Sequence, residues 1–196
     1  MAKPTSRALW TAKLSGKPIK GSLPSQTAAK AFGQRKPYHG CILGIDPSLR
    51  STGLALITFT PGQTPKLEFS RTVKLHTTLS LAECLGALFQ AVGETLQRVT
   101  VREVVLEQTI YVQNRQTAQV LGAARGAAIA AAAVRGLKVA EYPPLRVKQA
   151  VVGFGRAGKE QVAGMVCSLL KLQERLPPDE SDAAAVALCH AFTFRE

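Results

Sequence analysis

Aspartate is scarce in this chain: three of its 196 residues are Asp, at positions 46, 179 and 182. No acidic residue of either kind occurs in the first 40 positions, which carry Lys3, Arg7, Lys13, Lys17, Lys20, Lys30, Arg35 and Lys36. Two-thirds of the net charge of +12 therefore sits in a fifth of the chain. The four cysteines, Cys41, Cys84, Cys167 and Cys189, are far apart and form neither a Cys-x-x-Cys pair nor a Cys/His cluster at zinc spacing. That excludes a zinc module and a disulfide framework and points to reduced intracellular thiols. Long apolar runs are missing as well. The longest, Gly126 to Val134, is closed by Arg125 and Arg135 and falls far short of the roughly 20 residues a membrane helix needs.

The strong positive balance points to a polyanionic partner. At 46% hydrophobic, the chain as a whole is too apolar to be disordered. Residues 1–40 differ: Gly, Ser, Pro, Thr and Gln separate the lysines with no sustained apolar period, which predicts a solvated, disordered arm. Three readings of the arm stay open: a plain extension, a sequence-blind phosphate binder, or an organellar presequence, against which the excess of Lys over Arg weighs. Without such a presequence the chain is expected in the cytoplasm. Residues 41–196 form the second expected unit, a domain able to bury about 70% of its unfolded surface.

Periodicity divides that unit into short elements. CILGID (41–46) reads as a buried strand ending in an acid, followed by a Pro47-Ser48 turn. Strands over 53–60 and 66–75 follow, separated by PGQTP, and suggest an antiparallel meander. Leu81, Leu85, Leu88, Val92 and Leu96 mark an amphipathic helix within 80–98, and EVVLEQ (103–108) returns to strand. An Ala-rich helix over 113–135, a strand over 138–142 and helices over 147–152, 161–172 and 181–194 complete the order. It suits an α/β fold with a mixed five-stranded sheet and helices on both faces. The small residues of the Ala-rich helix, including Ala127, Ala128, Ala131 and Ala132, offer a close-packing surface for a second subunit.

The three aspartates and Glu107 all fall at element ends, where strands open onto a crevice. Asp179 and Asp182, three residues apart at the start of the last helix, share a face. Each alone has an ordinary structural use: Asp46 as a turn residue, Glu107 as a strand-end acid, the other two as helix-capping residues. Ionised carboxylates within about 4 Å would each repel a neighbour by ~4 kcal/mol at an effective dielectric near 20, so convergence of the four requires cations. A set of hard oxygen donors without His or Cys selects Mg²⁺, with Mn²⁺ able to substitute. Two such ions per site suit hydrolysis of a phosphodiester. Between the helices at 147–152 and 161–172 lies Gly153-Phe154-Gly155-Arg156-Ala157-Gly158-Lys159, whose glycines would let backbone and Arg156 approach phosphate. Arg50, Arg115 and Arg125 are weaker phosphate candidates, and His39, His76 and His190 fall in no catalytic pair.

GIDPSLRSTG (44–53), LEQTIYVQN (106–114), ARGAAIAAA (124–132), VKQAVVGFGRAGKEQV (147–162) and DESDAAA (179–185), in this order, resemble the RuvC family of Holliday junction resolvases. The resemblance runs from about residue 41 to the C-terminus. It implies a ribonuclease H-like fold, a homodimer, four-way junction DNA as substrate, a branch-migration motor as partner, and Asp46, Glu107, Asp179 and Asp182 as catalytic metal ligands. It also places Lys148 and Lys159 near the scissile phosphate. Ser48 stands where the family usually has glycine, which a turn without positive φ tolerates. The family's base-stacking aromatic, three residues after the second acid, is here Ile110, with Tyr111 next to it; either could make the DNA contact. A YqgF-type RNA-processing nuclease of the same fold and a non-catalytic junction-binding module are the alternatives. The first lacks the long 124–132 and 147–162 segments, and a purely phosphate-binding surface would lose affinity by keeping four acids.

Overall fold

The computed structural model describes residues 37–108 and 114–195. The expected stacking pair, Ile110 and Tyr111, and nearly all of the arm lie outside those residues. Five strands, β1 (Gly40–Asp46), β2 (Ser51–Phe59), β3 (Lys66–Lys74), β4 (Val101–Glu107) and β5 (Lys138–Tyr142), form one sheet in the order β3-β2-β1-β4-β5. β1, β2 and β3 are the antiparallel meander, and β4 and β5 add in parallel beyond β1. Helices α1 (Leu81–Leu96) and α2 (Arg115–Ala133) cover one face. The other is covered by α3 (Pro144–Val152), α4 (Lys159–Leu170) and α5 (Pro178–Thr193).

Strand alternation assigns the core residues to the two faces. Leu43 and Ile45 of β1, with Leu54 and Leu56 of β2, pack against Leu88 and Val92 of α1 and the alanines of α2. Ile42 of β1, Ala55 and Ile57 of β2 and Val105 of β4 face the other way, against Val151, Val162, Val166 and the Ala-rich α5. Ser48 has no positive φ: among the described non-glycine residues only Lys171 has one. The turn after Asp46 is closed instead by Thr52, whose hydroxyl accepts from the Ser48 amide and donates to the Ser48 carbonyl.

Three helices begin two or three residues before their sequence patterns do. Pro144 and Pro178 stand in the first turns of α3 and α5, where a fixed φ and a missing N–H are tolerated, so these prolines start helices rather than break them. α4 opens at Lys159 behind Gly158. The body also begins earlier than Cys41: Tyr38 is buried, with its ring against Phe59, His190 and Phe194. On α2, Ala128, Ala131 and Ala132 are fully buried in their own subunit's core, because the shallow alanine surface is what lets α2 lie close to α1. They are therefore not an intersubunit surface. No described helix is long and apolar enough to cross a membrane.

Two glycines let α5 lie directly on the sheet. A Cβ on Gly44 would sit 2.0 Å from the carbonyl oxygen of Ala183, and one on Gly53 would sit 1.9 Å from that of Asp179. Both obstacles are helix backbone and cannot turn aside, so Gly53→Ala should destabilise the protein by about 1–3 kcal/mol or more in urea unfolding. Gly86→Ala is the control. That glycine is on the exposed side of α1 with nothing within 4 Å of an added Cβ, so its replacement should stabilise by roughly 0.5–1 kcal/mol.

Candidate active site

Asp46 ends β1 and projects from the same face as Ile42 and Gly44. Its partner across β2 is Gly53. On the other side Ile45 pairs with Leu106 of the parallel strand β4, so Glu107 ends its strand level with Asp46. Adjacent strands lie about 4.8 Å apart, and the two carboxylates leave the sheet side by side. The first turn of α5, resting on Gly53, brings Asp179 over the same strand ends. Asp182 follows one turn along, and its Oδ2 lies 3.3 Å from Lys159 Nζ at the start of α4. The structure thus gathers all four acids at one end of the sheet.

Their proximity is visible in their ionisation. Burial, then the negative charges of Asp182 and Asp179, push Asp46 up to about 6, with Lys159 opposing. Glu107 is pushed up to about 7 by burial, then by Asp46 and Asp182, with Lys159 and Lys148 opposing. Lys159 is raised in turn, chiefly by Asp182. Lys148, half-buried on α3, and Lys159 therefore act on the same cluster. A buried, mutually repulsive, all-oxygen set of this kind fits hard divalent cations. Among the described residues no three Asp, Glu, His or Cys side chains yet converge on one point at coordinating distance. Lys159 pairs with Asp182 at the edge of the cluster.

The lesser candidates separate. Arg50 donates to the carbonyls of His76 and Leu79, pinning the segment before α1. Arg125 is paired with Glu141 across α2 and β5. Arg115 and Arg156 are exposed. The glycines around Arg156 have structural uses: Gly153, at φ 99°, ends α3, Gly155 packs on Leu145, and Gly158 begins α4. Their combined effect is a sharp turn from α3 to α4 that delivers Lys159 to Asp182. Of the histidines, His190 is buried between Glu103, whose Oε2 lies 2.8 Å from its Nε2, and Tyr142. Burial lowers its pKa against the pull of Glu103. It lies two helical turns beyond Asp182, about 12 Å away along α5, outside the acid cluster.

Sequence reasoning missed a set of hydroxyls around α5. Ser51 Oγ donates to Asp179 Oδ2, and Glu180 accepts from Ser70 and Thr72. Alternation of Ser70 and Thr72 on an edge strand was the available signal, but such a pattern ordinarily marks a solvated face.

A mixed sheet with central strand-end acids, completed by two carboxylates of a final helix, defines a nuclease of the ribonuclease H-like class. The family described as "Crossover junction endodeoxyribonuclease RuvC" matches residues 42–190, and the chain belongs to that family. The crossover junction endodeoxyribonuclease RuvC of Halorhodospira halophila is 45% identical over 150 residues, covering 76% of this chain and 89% of its own length. That of Moorella thermoacetica is 43% identical over 153 residues, covering 76% and 90%. Among solved structures, Thermus thermophilus RuvC in complex with a Holliday junction substrate is similar at a TM-score of 0.75 and 35% identity, over 79% of this chain and 94% of that one. The yeast mitochondrial Holliday junction resolvase, at 10% identity, a TM-score of 0.58 and coverage of 92% and 88%, shares the fold.

Because both raised carboxyls return to ordinary values on unfolding, their contribution to stability is present at acidic pH and is lost as pH rises through about 6 and about 7. In EDTA the melting temperature should therefore fall across that window. Asp46→Asn should flatten the fall and melt higher above neutral pH, by roughly 2–4 °C for each kcal/mol of repulsion relieved. Added Mn²⁺ should stabilise the parent more than the variant. Identical pH profiles for the two proteins would reject the repulsive cluster.

Proposed function

We propose that this protein resolves four-way DNA junctions by hydrolysing phosphodiester bonds at the Asp46-Glu107-Asp179-Asp182 site, in recombination and repair. The observation that carries the proposal is the confluence, at one sheet end, of two carboxylates with raised pKa values, two from α5, and Lys159 bridging to Asp182. The four acids are suited to hold two Mg²⁺ ions, or Mn²⁺ in their place, which when bound lower the pKa of an attacking water and stabilise the leaving oxygen. The chain's own work is electrostatic and positional. Lys159 and Lys148 offset charge within the cluster and are placed to steady the phosphate, while exposed Arg156 offers a flanking backbone contact. Ile110 or Tyr111, three and four residues past Glu107, is placed by sequence to contact an unpaired base.

Two symmetric cuts require two equivalent sites, so the working unit is a C2 homodimer. The solvent face of α2, with Gly122, Gly126 and Ala130 exposed and Val134 just past its end, supports this arrangement in place of the buried alanine face. A branch-migration motor is the expected partner, and the bacterial cytoplasm the expected location.

Binding and chemistry separate at Asp182. Asp182→Asn keeps the shape and removes one charge, so the variant should bind a synthetic four-way junction at least as well as the parent, while single-turnover cleavage in Mg²⁺ falls by several orders of magnitude. Lys159→Ala should slow cleavage and also move its pH profile upward, since Asp46 and Glu107 lose an opposing charge. Parental cleavage by Asp182→Asn would remove that residue from the site. Linear duplex and single strands, left uncut under the same conditions, establish junction selectivity.

The arm is proposed to neutralise phosphates without choosing among DNA structures. Deletion should stop at residue 36, which removes all eight basic residues and leaves buried Tyr38 in place. It should flatten the slope of log K against log salt by about 0.9 for each phosphate that the arm neutralises, equally for junction and duplex. An unaltered slope would exclude the arm from DNA.

A further inference from the structure

α5 starts without a cap of its own. Pro177 precedes it and supplies no side-chain cap bond, whereas α1 opens with a reciprocal capping box between Ser80 and Glu83. The acids of the first turn of α5 reach outward to the sheet instead. Asp179 accepts from Ser51 of β2, and the adjacent Glu180 accepts from two residues of β3: Ser70 Oγ at 2.5 Å and Thr72 Oγ1 at 3.2 Å. Ser70 and Thr72 alternate along β3 and so share a face, and Thr72 is paired with Gly53, the residue on which the Asp179 backbone rests.

These contacts have a mechanical consequence. Gly53 fixes how closely the first turn of α5 approaches but, having no side chain, does not itself limit that turn's rotational freedom. A carboxylate tied to two points on the edge strand, beside one tied to β2, removes that freedom. The donors are also all neutral. Hydroxyls hold a carboxylate by charge-assisted bonds while adding no positive charge, so the negative field at the start of α5 is kept for cations.

We propose that Glu180, clamped by Ser70 and Thr72, is a positioning residue that sets the rotation of α5 and thereby aims Asp179 and Asp182 at Asp46 and Glu107. This rests on the reading of the four acids as a metal site, of which Glu180 is not a member.

The test uses the full chain without DNA and compares Glu180→Ala, Glu180→Gln and the charge-neutral pair Ser70→Ala/Thr72→Val. Calorimetric Mn²⁺ titration should show affinity weakened about tenfold in Glu180→Ala and in the hydroxyl pair, in line with the loss of other supports behind metal ligands. Glu180→Gln, which can still accept from one hydroxyl and donate to the other, should stay close to the parent. Adding Glu180→Ala to the hydroxyl pair should weaken binding little further, because both remove the same clamp. In metal-free protein, amide exchange over residues 179–183 should quicken in Glu180→Ala and in the hydroxyl pair, with circular dichroism unchanged. If the pair fails to fold, Ser70→Ala alone serves. Parental Mn²⁺ affinity and exchange in Glu180→Ala would overturn the proposal. So would weakening in Glu180→Ala that the hydroxyl variant does not reproduce, since Glu180 would then act through charge alone. Should the parent bind no Mn²⁺, the metal-site reading fails, and the amide exchange still decides whether the clamp exists.

Discussion

The contact between the backbone of α5 and the glycines of the two central antiparallel strands is the constraint on which the site depends. Helices usually stand off a sheet by the thickness of two layers of side chains. Here Gly44 and Gly53 remove one layer and the alanines of α5 thin the other, so the helix carbonyls occupy positions where strand Cβ atoms would be. Short carboxylate side chains can then meet across the gap. With ordinary side chains at positions 44 and 53, Asp179 and Asp182 would be lifted away from Asp46 and Glu107. Both ends of the helix are secured to the sheet, the first turn by hydroxyls of β2 and β3 and the last by His190 between Glu103 and Tyr142.

That closeness is electrostatically unfavourable, and the discomfort is functional. Burial and mutual repulsion raise Asp46 to about 6 and Glu107 to about 7, so that around neutrality Glu107 is near half-protonated while Asp46 is mostly ionised. Cations would bind a site in this condition with a large gain, since each ion would relieve several repulsions at once. Lys159 provides partial relief from the rim, held there because the α3–α4 connection is short and sharply turned. Its ion pair with Asp182 is largely exposed and therefore weak enough to exchange for a stronger partner.

Much of this was legible in sequence because the relevant signals are local. The apolar runs in CILGID and EVVLEQ, and the acid at or near the end of each, identified two strands and two candidate ligands without any knowledge of which strands are neighbours. The helix starts were less legible. Pro144 and Pro178 break a helix in its interior but begin one in its first turn, and an apolar pattern does not register a turn whose residues are mostly exposed. The Ala-rich α2 was legible as a helix but not as to its partner: small residues permit close packing equally against α1 and against another subunit, and only burial distinguishes them. Arg50 looked like a phosphate ligand because its use, holding the carbonyls of residues 76 and 79, spans more than 25 positions.

The sequence by itself determined the order of elements, the meander, the restriction of aspartate to three element ends and the hard-oxygen character of the site. These follow from periodicity and side-chain chemistry, which neighbouring residues carry between them. Tertiary structure alone decided that β4 lies beside β1, so that Glu107 stands level with Asp46. It also decided that Gly53 yields its side-chain space to Asp179 and that Glu180 is tied to β3 and not to the cleft. Each of these is a relation between residues tens of positions apart, fixed by which surfaces pack together, and no window along the chain contains both partners.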